Sequence, residues 1–263
     1  MDLLLKDKII IVTGGGKGIG EAIAHVLAAE GATPVIIGRS AEDNKSVADI
    51  IGAKGGRAFA ITAELSDPKH CRRAIEETIA KAGRIDGLVN NAGINDGVDL
   101  ENGTYERFIS SLHQNLVHYY LMAHHALPYL KINSGSIVNI TSKTAETGQG
   151  NTSAYAASNG GRYALTREWA VELLKYGIRV NAVVVAECWT PAYAEWIKTL
   201  SHPEEKLRKI KSKIPLGNRM TTPAEIAQTV AFLLSEKSSH TTGQQIHVDG
   251  GYVHLDRALA NAD

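Results

Sequence analysis

Thr13-Gly14-Gly15-Gly16-Lys17-Gly18-Ile19-Gly20 is the stretch that decides how this chain folds. It follows a β-branched run at residues 8–13 that reads as a buried strand, and it opens a helical pattern over residues 18–30. Glycines reach positive φ and let a backbone approach a ligand closely, while the free N–H groups of a helix start attract negative charge. A glycine-rich turn at a first strand–helix junction is the context in which such a loop cradles a pyrophosphate. Gly14, Lys17, Gly18, Ile19 and Gly20 are therefore candidate contacts to a dinucleotide.

Outward from that loop, short apolar runs alternate with longer helical patterns. Thr33–Gly38 reads as a second strand and 40–53 as a second helix, and the runs 57–62, Gly87–Asn90, 136–141, 178–185 and Gln245–Val248 continue the series. Strands without polar alternation are buried on both faces, which implies a parallel sheet covered by helices on each side. The predicted fold is a Rossmann-like, doubly wound α/β domain. No linker, repeat or low-complexity tract interrupts it, so residues 1–263 are expected to form one domain. The irregular stretch 187–220 carries Trp189, Tyr193, Trp196 and a basic helix at 206–213. Ligands of open α/β sheets sit beyond the carboxyl ends of the strands, so an insertion after the sixth strand is expected to be a lid over the substrate.

Bulk composition excludes several function classes. Of 263 residues, 44% are apolar and 21% charged, and 28 Lys plus Arg balance 28 Asp plus Glu. A zero formal charge gives no nucleic-acid surface and no basic membrane-binding face. Two cysteines, Cys71 and Cys188, make no disulfide framework, and no apolar run approaches membrane-spanning length. The amino terminus is too charged for a signal-peptide core, and the expected location is the cytoplasm.

The end of the second strand chooses the cofactor. A carboxylate there would hold an adenosine ribose 2′-hydroxyl and repel a 2′-phosphate. The sequence has Gly38-Arg39-Ser40 instead, and Lys17 adds a second cation, so NADP is expected to be preferred over NAD.

With these features in place, the chain resembles the classical short-chain dehydrogenase/reductase family. The glycine motif, Asn90-Asn91-Ala92-Gly93, Ser142 thirteen residues before Tyr155, Pro215-Leu216-Gly217, Thr242-Gly243-Gln244 and Val248-Asp249-Gly250-Gly251 occur in the family's order. Between the motifs, Asn95-Asp96-Gly97, Ser142-Lys143-Thr144-Ala145, the segment from Thr147 through Ser153, Thr166-Arg167-Glu168-Trp169-Ala170 and the tail from Gly251 through Leu259 resemble bacterial L-fucose dehydrogenases. The resemblance implies that Tyr155 exchanges the proton of a substrate hydroxyl, that Ser142 hydrogen-bonds the same oxygen, and that Asn115 holds a water of the proton relay. It also implies that Glu64, Leu65, Asn91, Ala92, Gly93 and Thr190 touch the cofactor, and that the protein is a homotetramer packed through helices near 108–130 and 155–175. Asn115 has independent support, because it lies on the edge of an apolar stripe of Phe108, Leu112, Leu116, Tyr119 and Ala123. A structural role for that asparagine in a distorted helix fits the same pattern.

One position departs from the family pattern. The family has Tyr-x-x-x-Lys, and this chain reads Tyr155-Ala156-Ala157-Ser158-Asn159. Four residues along a helix share a face, so the missing cation belongs beside the tyrosine and the nicotinamide ribose. Asparagine keeps hydrogen bonds but supplies no charge. A cation worth three pKa units to a phenol would be worth about 4 kcal/mol, or roughly a thousandfold in rate. A member of low activity and a chain carrying a substitution both fit Asn159. Restoring lysine is expected to raise turnover a hundredfold or more, unless Lys143 or Arg162 already supplies the charge.

A polyhydroxylated substrate needs several converging polar groups. Asn95, Ser142, Lys143, Glu146, Gln149, Asn151, Tyr155 and Glu187 are candidates, and Trp196 is placed to stack on a sugar face or to pack beneath the lid. His118, His124 and His125 lie on one helix with no cysteine or carboxylate at ligand spacing, so no metal is expected. The favoured activity is oxidation of the anomeric hydroxyl of L-fucose or a related aldose to the lactone. The alternatives are reduction of a 3-oxoacyl thioester or steroid ketone, and a catalytically inactive cofactor-binding protein.

Overall fold

The computed structural model describes residues 2–255. Asp256-Arg257-Ala258-Leu259, the end of the tail compared above, lies outside the described residues.

β1 (Ile9–Thr13), β2 (Thr33–Gly38), β3 (Phe59–Thr62), β4 (Gly87–Asn90), β5 (Ser136–Ser142), β6 (Arg179–Val185) and β7 (Gln245–Val248) form one sheet. Its order is β3-β2-β1-β4-β5-β6-β7, with every pairing parallel. The helices are α1 (Gly18–Ala29), α2 (Ala41–Ala53), α3 (Pro68–Ala82), α4 (Tyr105–Leu112), α5 (His118–Asn133), α6 (Ser153–Glu172), α7 (Pro191–Lys198), α8 (Pro203–Lys211) and α9 (Pro223–Leu234).

The two-residue period of the strands sorts the core into layers. Ile9 and Ile11 face one side, where Cys71, Tyr119, Met122 and Trp169 of α3, α5 and α6 cover them. Ile10 and Val12 face the other, beneath Ile23 and Leu27 of α1 and Ile226 and Val230 of α9. The strand order reverses between β1 and β4, so their carboxyl ends diverge and open the crevice where ligands of such sheets bind.

Helix ends follow local chemistry. Ser40 caps α2 by accepting from Asp43 N at 3.2 Å, and Thr222 and Glu225 form a capping box on α9. α1 is different: Lys17 stands at its N-cap with no side-chain cap bond, which leaves the helix's first N–H groups open.

Two elements depart from the sequence reading. The single helix expected over 108–130 is split by a π-turn, His113–Val117, centred on buried Asn115. π-turns arise where a side chain's partners pull one extra residue into a helix, and they gather at functional sites. The stretch 187–220 is folded rather than irregular, since α7 and α8 fill it. Its two ends are clipped together where Trp189 N donates to Thr221 O at 3.0 Å and Thr221 N donates to Glu187 O at 2.9 Å.

Candidate active site

The glycine loop is shaped for a ligand's phosphates. Gly14 has φ +64° and donates its N–H to Ile37 O at 2.7 Å. A Cβ on Gly20 would lie 2.2 Å from Gly14 O and 2.7 Å from Asn91 Nδ2, so only glycine lets α1 start this close to the loop. Together with the uncapped N-terminus of α1, this fits a dinucleotide's pyrophosphate. Thr190, the N-cap of α7, brings its side chain 3.6 Å from the Cβ position of Gly18, across the loop.

The nucleotide side corrects one expectation. Lys17 is not a free cation: its Nζ pairs with Asp43 Oδ2 at 2.9 Å. The hydrogen bond from Lys17, followed by that from Ser40, holds the Asp43 carboxyl below its ordinary pKa. A carboxylate therefore does stand beyond the second strand, one turn into α2, and exposed Arg39 alone keeps an unpaired charge there among the described residues. Glu64 turns back on its own loop, accepting from Ser66 N at 3.2 Å and Ser66 Oγ at 3.0 Å. The Leu65 side chain is packed in the core, which leaves only its backbone for a cofactor.

At the centre of the crevice, Asn91 Nδ2 donates to Thr13 O at 2.9 Å, and Thr13 Oγ1 accepts from Asn91 N and Ala92 N at 2.8 and 3.1 Å. Gly93 ends this turn against Asn115 Oδ1 and Arg162 Nη2, each 2.9 Å from its Cβ position. Asn115 accepts from Ile94 N at 2.8 Å on Oδ1 and from Arg162 Nε at 2.6 Å on its carbonyl. The structural role and the inward placement foreseen for Asn115 are thus one arrangement.

Ser142 ends β5, and its Oγ accepts from Thr144 N at 3.3 Å. The following 3-10 turn, Lys143–Ala145, packs on α6, whose first turn carries half-buried Tyr155. Asn159 is fully buried beneath it, giving Nδ2 to Tyr155 O at 2.8 Å and accepting from Arg162 Nη1 on Oδ1 at 3.0 Å.

The expected substrate residues divide. Lys143 and Glu187 form a largely buried ion pair, Lys143 Nζ lies 4.1 Å from the Tyr252 ring centroid, and Tyr193 OH donates to the second Glu187 oxygen at 2.8 Å. Burial and then the adjoining Glu187 push the Tyr193 phenol up. Trp189 and Trp196 flank Tyr193 at 6.0 and 5.0 Å between ring centroids, and Trp196 is 46% exposed, so it does not pack beneath the lid. Asn95 is spent on its own turn, accepting from Gly97 N at 3.4 Å. Gln149 and Asn151 sit exposed on the loop before α6.

Glu146 is engaged elsewhere. Its Oε1 accepts from Tyr163 OH at 2.7 Å and meets His247 Nε2 at 2.8 Å, with His254 Nε2 3.9 Å from the other oxygen. No metal-ligand spacing is visible in the sequence, yet the fold gathers these three side chains with donor atoms within 4.8 Å of one another. Tyr163, His247, Tyr252 and Arg162 are the site residues absent from the expected set, and Tyr193 is expected in the lid but not as a partner of Glu187. Of the absent ones, only Arg162 left a signal, as a cation on the Tyr155–Asn159 face. Cys188, beside this site, is no nucleophile, because burial pushes its thiol up to about 12.

Comparison with known proteins agrees with this geometry. Residues 14–253 match the family described as enoyl-(acyl carrier protein) reductase. The 3-oxoacyl-(acyl-carrier-protein) reductase FabG of Thermotoga maritima is 36% identical over 95% of this chain and 99% of its own length. An L-fucose dehydrogenase of Bos taurus is 33% identical over 93% of this chain and 88% of its own. Among solved structures, Cj0485 dehydrogenase superposes with a TM-score of 0.93 at 46% identity, covering 98% of this chain and 99% of its own. The chain belongs to the short-chain dehydrogenase/reductase family and has the oxidoreductase fold and nicotinamide-cofactor crevice of that family.

Gly20→Ala is expected to weaken dinucleotide binding about tenfold or more while the chain stays folded, because the new methyl must displace Gly14 O. Isothermal calorimetry beside circular dichroism checks this, and unchanged affinity contradicts it.

Proposed function

We propose that this chain oxidises the anomeric hydroxyl of L-fucose or a related aldose to the lactone, with NADP as the preferred cofactor. The observation that carries the reading is the Lys143–Glu187–Tyr193 cluster at the carboxyl ends of β5 and β6. It presents fixed donors and acceptors in a partly dry site, the arrangement that discriminates among polyols by leaving hydrogen bonds unmade for the wrong one. The aromatic row Trp189–Tyr193–Trp196 offers an apolar face for a sugar ring. Similarity to an L-fucose dehydrogenase supports the same choice.

In this mechanism the substrate's C1 loses a hydride and its O1 a proton. NADP, when bound, takes the hydride. Tyr155 accepts the proton as general base, and Ser142 Oγ donates to the same oxygen as negative charge develops on it. Gly14, Gly18 and the start of α1 would hold the pyrophosphate, and Arg39 the 2′-phosphate. Asn91, Ala92, Gly93 and Thr190 would hold the nicotinamide end.

A second reading has its own observation. A cavity of about 320 Å³ beneath α8 is lined by Glu187, Tyr252, Leu200 and Ile210 together with Lys206, Lys209 and Lys213. A cationic wall suits an anionic substrate, such as a 3-oxoacyl group on an acidic carrier. FabG, the acyl-carrier reductase similar to this chain, is consistent with that reading. The two share the chemistry of Ser142 and Tyr155 and differ in what the lid recognises.

A turnover screen over aldoses and acetoacetyl thioesters, with both cofactors, is expected to show L-fucose or a stereochemical relative as the best substrate. Glu187→Gln is expected to lower kcat/KM for it on the order of 10–100-fold. Turnover confined to the thioesters overturns the proposal, and dinucleotide binding with no turnover of any substrate identifies a non-catalytic binding protein. NADP is expected to bind more tightly than NAD by calorimetry, with Arg39→Asp reversing the order. Equal affinities in the parent chain refute that preference.

The same proposal includes a homotetramer, packed through α4, α5 and α6. Tyr105, Tyr120, Val171 and Leu174 are apolar side chains exposed on or next to these helices, at 75%, 51%, 68% and 60%. Symmetric burial is the usual fate of such surface. Light scattering at micromolar concentration is expected to give four chains, and a monomer refutes it.

A further inference from the structure

Arg162 is 3% exposed, yet among the described residues no carboxylate pairs with it. Buried guanidinium groups ordinarily lie against an acid, because desolvating an unpaired charge is costly. The hydrogen bonds of this one go to neutral oxygens: Asn115 O at 2.6 Å, Ile140 O at 3.3 Å and Asn159 Oδ1 at 3.0 Å. Its Nη2 is enclosed with no partner at all. The face of the Tyr119 ring lies 4.2 Å from Cζ and supports a cation.

The titratable groups around it supply no counter-charge. Across from α6, burial pushes the Tyr119 phenol up to about 12 and, with Arg162 as a second cause, pushes His118 down to about 3, so both are neutral. On its own helix the titratable residue on the same face is Tyr155, seven positions before it. The orphan Nη2 points at Gly93, on the floor of the cofactor crevice, beside Asn115 Oδ1. A buried positive charge with no carboxylate partner among the described residues thus sits against the Gly93 turn and Asn115.

We propose that Arg162 is the fixed cation of this active site, with Asn159 as the connector that joins it to the Tyr155 backbone. Residues 155, 159 and 162 are spaced i, i+4 and i+7 and share one helix face. Asn159 is satisfied on both sides, by Arg162 on its oxygen and by Tyr155 O on its nitrogen. The pair is built as a unit, which explains why position 159 holds an amide: a lysine there would force two cations together in a dry interior. Arg162 also takes the Asn115 carbonyl directly, fixing the π-turn that shapes the crevice wall. Guanidinium keeps its charge on burial where ammonium readily loses it, which suits a cation set one turn further from the chemistry. Arg162 is a positioning residue that acts through Tyr155, and the inference rests on the dehydrogenase reading of that tyrosine.

The test uses the full chain and four variants: Arg162→Met, Asn159→Lys, the double variant of both, and Tyr155→Phe as the spectroscopic blank. Tyrosine ionisation is followed by ultraviolet absorbance from pH 6 to 12, and the Tyr155→Phe trace is subtracted to isolate one phenol. Arg162→Met is expected to move that ionisation up by at least about one pH unit, the double variant to return it, and Asn159→Lys alone to leave it near the parent. Turnover is expected to fall about a hundredfold or more in Arg162→Met and to recover substantially in the double variant. NADP affinity, read by calorimetry, is expected to drop in Arg162→Met and to recover alongside. A purely structural arginine would lower stability without moving the titration. Coincident ionisation curves for parent and Arg162→Met overturn the proposal. If Arg162→Met fails to fold, a gain of a hundredfold in Asn159→Lys alone overturns it equally, since the charge would then have been missing. The titration needs no substrate, so absence of turnover on every compound defeats the dehydrogenase reading without imitating this failure.

Discussion

A chain of buried polar side chains holds the catalytic half of the molecule in place. Asn90 Nδ2 on β4 donates to Asn139 Oδ1 on β5 at 3.0 Å, Asn139 Nδ2 donates to Thr166 Oγ1 on α6 at 3.0 Å, and Thr166 Oγ1 donates to Arg162 O at 2.8 Å. All four residues are essentially inaccessible to water. Leaving one of these groups unpaired would cost about 1–3 kcal/mol, so the bonds act as a register that apolar contacts alone would not impose. Because α6 carries Tyr155, Asn159 and Arg162, fixing its height against the sheet fixes the chemistry. The Thr13–Asn91 bonds do the same for the cofactor loop between β1 and β4. Two sets of short polar links at strand ends thus convert a generic parallel sheet into a site.

The fold was legible because it is written in local, redundant signals. β-branched runs such as Ile9–Thr13 and Arg179–Val185 are buried on both faces, and the turn from Gly14 to Gly20 marks the first crossover. Less legible was whatever depends on distant partners. The π-turn at Asn115 needs Ile94 and Arg162, and no helical periodicity encodes it. The pairing of Lys17 with Asp43, which removes one of two expected cations, spans a whole helix, α1, and a strand, β2. His247 and His254 carry no signal in the sequence, and only β7 and the following turn bring them to Glu146. In the site, Ser142, Tyr155 and Asn115 could be named from the family resemblance, Asn115 also from its place on the edge of an apolar stripe. Lys143 and Glu187 could be named too, but not that they bind each other.

That pairing divides the electrostatics of the crevice into two regimes. Between the carboxyl ends of β5 and β6, Lys143 and Glu187 neutralise one another, so neither stands as an isolated buried charge. Beside the Gly93 turn, Arg162 has no carboxylate partner among the described residues and leaves a positive field there. Removing either member of the first pair strands a buried charge, whereas the second charge stands alone by construction.

An uncompensated buried cation lowers stability, and its persistence has to be explained by what surrounds it. Three carbonyl-type oxygens and an aromatic face replace part of its hydration, but the open Nη2 shows that the replacement is incomplete. Such residual strain belongs where charge develops during a reaction, because interactions completed only in the transition state accelerate the chemistry. The asparagine at 159 is then neither a defect nor a neutral change. It is the group that makes a displaced cation tolerable, by accepting from the guanidinium and passing a hydrogen bond to the turn that holds Tyr155. An ammonium at 159 and a guanidinium at 162 are alternative solutions to one electrostatic requirement, and this chain uses the second, with the guanidinium on the Tyr119 ring.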